Sequence, residues 1–283
     1  MSPVITLLTD FGLGDAYVAS VKGVILGINP EAVIVDISHS IEPQNILQAA
    51  FVLSTAHQYF PDGTIHVVVV DPGVGSQRKV ILLRTSSAYF LAPDNGVLSY
   101  VIDEICPAET VDYQDSTLFS PRPRNIKGYL EAIAITNSKF WRHPVSTTFH
   151  GRDIFAPTAA HLSLGISLDE FGEAVDSVYA SARPKPYYDS NGYLVGYVVH
   201  IDNFGNLITN ITDIDLPRRE VSVELGGQSV HGVDNYYAES EGLVAILGSS
   251  DYLEISLSNG NAASFLGAKI GDKVRLLPKK DQK

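Results

Sequence analysis

Cysteine is nearly absent from this sequence of 283 residues, and long apolar segments are missing as well. The single Cys106 cannot form an internal disulfide and leaves no thiolate cluster for zinc or an iron–sulfur centre. Apolar runs such as residues 67–70 have the length of a strand, far short of the roughly 18 residues that span a bilayer. The first residues lack the basic segment of a signal peptide and are typical of a strand. These features predict a cytoplasmic protein.

Positive charge is also scarce. The chain has 20 Lys and Arg residues against 32 Asp and Glu residues, giving a formal net charge of −12, and its pI is near 5.0. Binding to nucleic acid or to an anionic membrane depends on clustered Lys and Arg, so this balance argues against both partners. The composition is 45% hydrophobic and 18% charged, which is sufficient for a large core and unlike that of a disordered chain.

Motifs for phosphate and metal chemistry are missing or incomplete. Asp10-Phe11-Gly12 matches the magnesium-binding tripeptide of protein kinases, but the glycine-rich loop and the His-Arg-Asp loop that accompany it there are absent. Gly12-x-Gly14 lacks the third glycine of a dinucleotide-binding fingerprint, and the sequence has no phosphate-binding P-loop. Neither His-Glu-x-x-His nor Cys-x-x-Cys occurs. We therefore predict neither a metal nor a cofactor.

What the sequence does contain is a regular alternation of apolar segments in its first half. Residues 4–9, 32–37 and 64–70 have the composition of strands, and residues 18–28 and 46–59 have helical spacing between them. This β-α-β-α-β order predicts an α/β domain with a mainly parallel sheet.

The pattern changes at the proline-rich residues 183–186. Short alternating runs dominate after this point, at residues 194–201, 221–225, 229–233, 243–247, 252–257 and 273–277. Gly226-Gly227 lies between two of them and indicates a hairpin turn. Many short strands with glycine turns predict a smaller, all-β, barrel-like domain. We therefore divide the chain into an α/β domain at residues 1–183 and a C-terminal β domain at residues 184–283.

Polar residues follow the predicted strands where a ligand would be expected. Ligands of α/β sheets lie beyond the carboxyl ends of the strands, and Asp10 and Asp71 each follow an apolar strand directly. Asp10 could equally cap a helix or belong to a turn, and Asp71 could equally belong to an ordinary turn. Residues 148–153 fit a surface salt-bridge loop or part of a site, and residues 202–206 fit a turn or a ring-stacking pocket. The seven histidines other than His150 show no paired spacing, and we expect no chemical role for them.

Six of these segments occur together in one order. They are Thr-Asp-Phe-Gly, Val-Val-Asp-Pro-Gly-Val-Gly with an arginine seven positions after its aspartate, Ala-Pro-Asp-Asn-Gly, Thr-Phe-His-Gly-Arg-Asp-Ile-Phe-Ala-Pro, Asp-Asn-Phe-Gly-Asn and Gly-Ser-Ser-x-Tyr-Leu-Glu-Ile. The set resembles the S-adenosyl-L-methionine (SAM) hydroxide adenosyltransferases, which are adenosine-forming SAM hydrolases related to the SAM-dependent fluorinase and chlorinase. The resemblance covers about residues 4–278 and implies an N-terminal α/β domain with a C-terminal β domain.

The resemblance also implies roles for individual residues. By matching position, Asp71, Arg78 and His150 correspond to the set that holds the attacking water, and Asp10 corresponds to the aspartate that binds both ribose hydroxyls. The remaining matches are Asp15, Asp202 and Ser249 around the methionine moiety, and Phe204, Asn206, Tyr237 and the backbone at Ala262 in the adenine pocket. Family members are typically trimers that bind SAM between one subunit's N-terminal domain and its neighbour's C-terminal domain. A homotrimer with SAM as substrate is therefore implied.

Several positions depart from the halogenating relatives. Asp71 stands where the halogenases have a tyrosine, and Gly151 stands where the fluorinase has its halide-binding serine. Gln44 and Tyr17 replace a tryptophan and a serine of the fluorinase's methionine pocket. Residues 79–93 are too few to hold the fluorinase's extra loop. A small insertion near residues 259–261 changes the spacing at the adenine edge.

The implied reaction is an attack by water or hydroxide on the ribose 5′-carbon of SAM, releasing adenosine and L-methionine. With water as the nucleophile, Asp71 would stabilise the developing positive charge and take a proton, while Arg78 would favour the ionised carboxylate. With hydroxide, Arg78 and a protonated His150 would stabilise the anion instead. Two other functions stay open at this stage, namely a SAM- or nucleoside-binding module without turnover and a SAM-dependent halogenase.

Overall fold

The chain divides into two units, Met1–Arg183 and Pro184–Lys283. The structure is a computed structural model that describes residues 2–106, 120–183, 185–216, 221–231, 233, 236 and 241–278. The strands of the first unit are β1 Val4–Thr9, β2 Val33–Ser38, β3 Thr64–Val69, β4 Val80–Arg84, β5 Ala88–Pro93, β6 Arg122–Asn125, β7 Glu131–Ile135, β8 Gly172–Ala174 and β9 Ser177–Ala180. Its α-helices are α1 Tyr17–Ile28, α2 Ile46–Ala56, α3 Ser99–Ile105 and α4 Ala156–Ser163.

Seven of these strands form one sheet in the order β2-β1-β3-β5-β4-β7-β8. Strands β2, β1, β3 and β5 pair in parallel, and β4, β7 and β8 each run antiparallel to the preceding neighbour in the sheet. Five strands therefore point the same way, and the predicted mainly parallel sheet is confirmed. The hairpin between β4 and β5 was not anticipated, since apolar spacing identifies a strand but does not give its direction.

Alternation along the central strands places helices on both faces of this sheet. Leu7 and Val67 face a core that includes Ile25 of α1 and Ala159 of α4. Their neighbours in the chain, Leu8 and Val68, face a second core that includes Leu53 of α2 and Val101 of α3. Strands covered on both faces have continuous apolar sequences, which explains the uninterrupted run in β3. Among the helices of the described residues, none has the length and apolarity to cross a bilayer.

The second unit consists mainly of antiparallel strands. They are β10 Tyr187–Tyr188, β11 Leu194–Ile201, β12 Leu207–Thr212, β13 Val221–Leu225, β14 Gln228–His231, β15 Leu243–Leu247, β16 Tyr252–Leu257 and β17 Lys273–Pro278, with one short helix, α5 Ala262–Leu266. They form one sheet in the order β14-β13-β17-β11-β12-β16-β15, to which β10 is added at β11. The two end strands β14 and β15 approach each other, so the sheet is nearly closed around its core, as predicted for a barrel-like domain. The hairpin at Gly226-Gly227 is also confirmed, with Leu225 paired to Gln228.

Candidate active site

Asp10 and Asp71 lie side by side because the strands that precede them are neighbours. Thr9 of β1 is in register with Val69 of β3, and both strands end at the same edge of the sheet. Both aspartates line a cavity of about 270 Å³, together with Gln44 and His150. The expected location of the two aspartates beyond the carboxyl ends of parallel strands is therefore observed.

Arg78 and Asp71 form a bidentate ion pair. The chain after Asp71 turns tightly, with the amide of Val74 donating to the carbonyl of Asp71 at 3.1 Å, and returns Arg78 to the carboxylate. Arg78 Nε donates to Asp71 Oδ1 at 2.8 Å, and Arg78 Nη2 donates to Asp71 Oδ2. The two side chains are only 10% and 4% exposed. Two parallel charge-assisted hydrogen bonds fix the plane of the carboxylate as well as its position.

A glycine in this turn brings it against the segment that carries His150. Gly75 has φ +78°, and a Cβ there would lie 2.5 Å from the carbonyl oxygen of Thr147. Only glycine accommodates both this backbone conformation and the close approach. The turn that holds Arg78 therefore packs directly on the backbone three residues before His150.

His150 completes the cluster through Arg78. Its Nδ1 lies 3.0 Å from Arg78 Nη2. Since a guanidinium only donates hydrogen bonds, Nδ1 is the acceptor, and the partners assign the neutral tautomer with the proton on Nε2. Burial lowers the pKa of His150 below its usual value and the Arg78 charge lowers it further, while Asp71 and Asp153 act in the opposite direction. A protonated His150 is disfavoured in this arrangement, which argues against the hydroxide alternative raised from the sequence.

The segment after His150 is held by a buried carboxylate. Residues Gly151–Phe155 form one turn of π-helix, and Asp153 within it is completely buried. Arg152 donates to both of its oxygens, at 2.7 and 2.8 Å, and Arg142 and the amide of Ser146 donate as well. Burial would raise the pKa of Asp153, but these hydrogen bonds hold it below its usual value. The reading of residues 148–153 as a surface salt-bridge loop is therefore wrong for Asp153, which anchors the segment from inside.

Asp10 is tied to the loop after β2 by a backbone hydrogen bond. The amide of Gln44, a residue with φ +67°, donates to Asp10 Oδ2 at 2.8 Å, and both residues line the cavity. Gly151, which lines the same cavity, is buried, and a Cβ at this position would lie 3.3 Å from Phe11 Cζ. Asp15, which was matched to the methionine moiety, is exposed and does not contribute to the lining of this cavity.

In the second unit, Asp202 organises the turn between β11 and β12. Its Oδ1 accepts the amides of Phe204 and Asn206 at 2.9 and 2.8 Å, and its Oδ2 accepts Asn206 Nδ2 at 2.8 Å. The ring of Phe204 is left 74% exposed at the tip. The two interpretations of this segment are thus compatible, because a tight turn presents a free aromatic face.

Further predicted residues of the second unit lie near this turn. Ser249 lines the same cavity of about 1180 Å³ as Asp202, Phe204 and Asn206. Ala262 begins α5, and the next amide, that of Ala263, donates to the carbonyl of Gly205 at 2.9 Å. Tyr237, matched to the adenine pocket, lies outside the described residues. Within the described ranges, no three His, Cys, Asp or Glu side chains converge as metal ligands.

The sequence did not indicate that His39 lies next to the candidate site. His39 is only 5% exposed and hydrogen bonds Thr9, the residue before Asp10. The signal was weak, because a single histidine after a strand has no spacing that distinguishes it from a core residue.

Comparison with known proteins identifies relatives along most of the chain. Residues 5–172 match the SAM hydroxide adenosyltransferase N-terminal domain, and residues 196–275 match the C-terminal domain of the same family. A Thermus thermophilus protein named (R)-S-adenosyl-L-methionine hydrolase is 37% identical over 98% of this chain and 100% of its own length. One of the same name from Methanocaldococcus jannaschii is 33% identical over 97% of this chain and 95% of its own length. A fluorinase from an Actinoplanes species is 30% identical over 79% of this chain and 76% of its own length.

A solved structure supports the same conclusion. The crystal structure of an uncharacterized conserved protein from Thermotoga maritima covers 96% of this chain and 99% of that protein, with 35% identity and a TM-score of 0.81. The shared fold, the two matching domains and the near-full-length relatives agree, and the chain belongs to the SAM hydroxide adenosyltransferase family.

Proposed function

We propose that this protein hydrolyses S-adenosyl-L-methionine to adenosine and L-methionine. The observation that carries the proposal is the cluster in which Arg78 binds both oxygens of Asp71 and also hydrogen bonds His150, beside Asp10 at one sheet edge. The names of the relatives that match nearly the whole chain support the same activity.

The chemistry of SAM determines what the protein has to supply. An oxygen–carbon bond forms at the ribose 5′-carbon while the carbon–sulfur bond breaks, and its electron pair stays on sulfur. Methionine leaves as a neutral thioether, so the leaving group needs no proton. Holding the water in line with the breaking bond supplies on the order of several kcal/mol of barrier reduction.

In this proposal Asp71 positions and deprotonates the water. The oxygen of the water acquires positive character as it attacks, and the fixed carboxylate of Asp71 stabilises this charge. The proton that the water releases goes to the same carboxylate. Because Arg78 already donates to both oxygens of Asp71, proton transfer to this carboxylate comes late in the proposed reaction. Neutral His150 offers its Nε2–H as a further donor for orienting the water.

The same carboxylate disfavours halide as a nucleophile. A halide about 4 Å from an ionised Asp71 would be repelled by roughly 4 kcal/mol at an effective dielectric constant of about 20, equivalent to about a thousandfold in affinity. Neutral water carries no such penalty. This difference favours the hydrolase over the halogenase.

The proposal assigns the other matched residues to substrate binding. Asp10 would accept hydrogen bonds from both ribose hydroxyls, Asp15, Asp202 and Ser249 would surround the methionine moiety, and Phe204, Asn206, Tyr237 and Ala262 would bind adenine. A homotrimer with active sites at subunit interfaces and a cytoplasmic location, both implied by the sequence, are part of the same proposal. Light scattering measures the oligomer directly.

Incubation of the purified protein with SAM in ¹⁸O-labelled water tests the activity. We expect adenosine and methionine in equal amounts, with the label only in adenosine, because the attack occurs at the 5′-carbon. SAM that stays intact would refute the proposal, as would label in methionine or a 5′-halo product on adding chloride or fluoride.

A further inference from the structure

A buried chain of polar groups lies behind Asp10. Thr9, the last residue of β1, is 1% exposed, and its Oγ1 lies 2.8 Å from Nδ1 of His39. His39 directly follows β2, and its carbonyl accepts the amide of Gly12 at 2.8 Å. The ends of two neighbouring strands are therefore joined on both sides of Asp10.

The chain continues from His39 to the surface. His39 Nε2 lies 3.1 Å from Asp36 Oδ1, an electrostatic contact off the line of an ideal hydrogen bond, and Lys22 Nζ donates to Asp36 Oδ2 at 2.6 Å. Partial burial would raise the pKa of Asp36, but the hydrogen bond from Lys22 and the nearby His39 imidazole together lower it. A shift in the register of β1 and β2, with Leu7 opposite Asp36 and Leu8 opposite Ser38, accompanies this arrangement.

The direction of the Thr9–His39 hydrogen bond follows from the tautomer of His39. A carboxylate only accepts, so the tautomer that suits both neighbours has its proton on Nε2, facing Asp36, and Nδ1 then accepts from the Thr9 hydroxyl at 2.8 Å. The Thr9 oxygen in turn accepts the amide of Phe11 at 3.2 Å. The Thr9 hydroxyl thus accepts from Phe11 and donates to His39, and the connected groups Phe11, Thr9, His39 and Asp36 fix the backbone before and after Asp10.

We infer that Thr9, His39 and Asp36 form a positioning relay that aims the Asp10 carboxylate at the ribose, which makes them determinants of ribose recognition. The inference rests on the proposed role of Asp10 in binding SAM. The relay fixes the backbone on both sides of Asp10, and the Gln44 amide fixes one of its oxygens, so the carboxylate has little freedom to turn away. Loss of the relay would therefore weaken ribose binding without removing any group that contacts the reacting atoms.

The same strand provides a matched control. Thr6 is fully buried in β1, and its Oγ1 lies 2.8 Å from Nδ1 of His66, so it forms a second buried threonine–histidine pair. It is three residues from Thr9 and has no contact with Asp10 among the described hydrogen bonds. Thr6→Val and Thr9→Val thus remove the same chemistry from the same strand, but only the second disturbs the relay.

The experiment compares SAM with its 2′-deoxyribose analogue, and adenosine with 2′-deoxyadenosine. KM and kcat are measured for the first pair, and Kd by calorimetry for the second. In the wild type, loss of one hydrogen bond to a carboxylate should weaken binding by about 10- to 100-fold. In Thr9→Val, we expect the ribose compounds to bind about 10-fold more weakly, with the ribose-to-deoxyribose ratio reduced to about threefold and kcat little changed.

Two further variants make the outcome decisive. Thr9→Ser retains the hydroxyl and should restore the ratio, and Asp36→Asn at the exposed end of the relay should reduce the ratio in a protein that folds. Thr6→Val should keep the wild-type ratio. A Thr9→Val protein with the wild-type ribose-to-deoxyribose ratio would overturn the inference. An equal reduction of this ratio in Thr9→Val and Thr6→Val would overturn it as well. If SAM is not cleaved, the proposed function fails, and the two nucleoside affinities still decide the inference.

Discussion

Replacing Asp71 by asparagine keeps the size of the side chain but removes its charge. The carboxylate is the only group in the cluster proposed to take a proton from the water. Loss of a general base and of the accompanying charge stabilisation lowers kcat by about 10²- to 10⁴-fold. We expect KM for SAM to change only a few-fold, since Asp71 does not contact the parts of SAM that are assigned to the binding residues.

The same substitution has a calculable effect on stability. Arg78 is 10% exposed, and asparagine offers one acceptor oxygen where the carboxylate offered two. Removing one partner of a buried ion pair lowers the free energy of unfolding by about 3–5 kcal/mol. Because asparagine retains one acceptor and Arg78 also contacts His150, we expect a loss of about 3 kcal/mol. Urea denaturation followed by the fluorescence of Trp141, the single tryptophan and a residue of the first unit, measures this value.

Two companion proteins separate chemistry from folding. Asp176→Asn removes a carboxylate that is 67% exposed and paired with Lys127, and it should change stability by less than about 1 kcal/mol with normal turnover. The double variant Asp71→Asn with Arg78→Met should regain stability because no guanidinium is left unpaired, while turnover stays low. If Asp71→Asn, corrected for its folded fraction, retained more than about a tenth of wild-type kcat, the proposed role of Asp71 as the base would be refuted.

Three other perturbations test separate parts of the site and fold. Asp10→Ala should raise KM for SAM by about 10- to 100-fold with a smaller effect on kcat, because two ribose hydroxyls lose a shared acceptor, and a kinetic phenotype confined to kcat would contradict this role. Since the pKa of His150 is lowered, kcat/KM should decrease on acidification only below pH 6.5, because protonation places a proton between Nδ1 and Arg78. His150→Gln should remove this decrease at acidic pH, and a decrease with its midpoint above pH 6.5 would contradict the neutral state assigned to His150. Burial lowers the pKa of His66 from 6.5 to about 4, so its contribution to stability is present above pH 6.5 and is lost as the pH falls toward 4. The stability difference between wild type and His66→Leu should therefore shrink by about 2 kcal/mol between pH 8 and pH 5 in urea denaturation, and a pH-independent difference would disprove it.

The sequence predicted the central strands well because their apolar character depends on local composition. Strand β1 begins and ends where predicted, and β11, β13, β15 and β16 do as well. The predicted helix over residues 46–59 is helical throughout, although α2 ends at Ala56 and the last three residues form a 3₁₀ turn. Strand direction was less accessible, since the β4–β5 hairpin depends on pairing between distant segments.

The candidate site was predicted in part. The positions of Asp10 and Asp71 followed from the rule that ligands lie at the carboxyl ends of parallel strands. The link from Arg78 to His150 joins residues 72 positions apart, which no spacing rule could reveal, and the motif resemblance supplied it. The π-helix at Gly151–Phe155 and the buried state of Asp153 depend on three donor residues that converge only in the folded chain, so no local pattern indicated them.

The tight packing at Gly151 has a consequence for how this scaffold could acquire halide chemistry. Any β-carbon there presses on Phe11, whose ring lies 5.9 Å from the rings of both Tyr17 and Phe149 in a trio of aromatic contacts. A side chain introduced at this position therefore requires the Phe11 ring to move by a few tenths of an ångström, and a smaller residue at Phe11 would remove this contact. In laboratory evolution toward a halogenase, changes among these aromatic neighbours should therefore make a serine at residue 151 easier to accommodate.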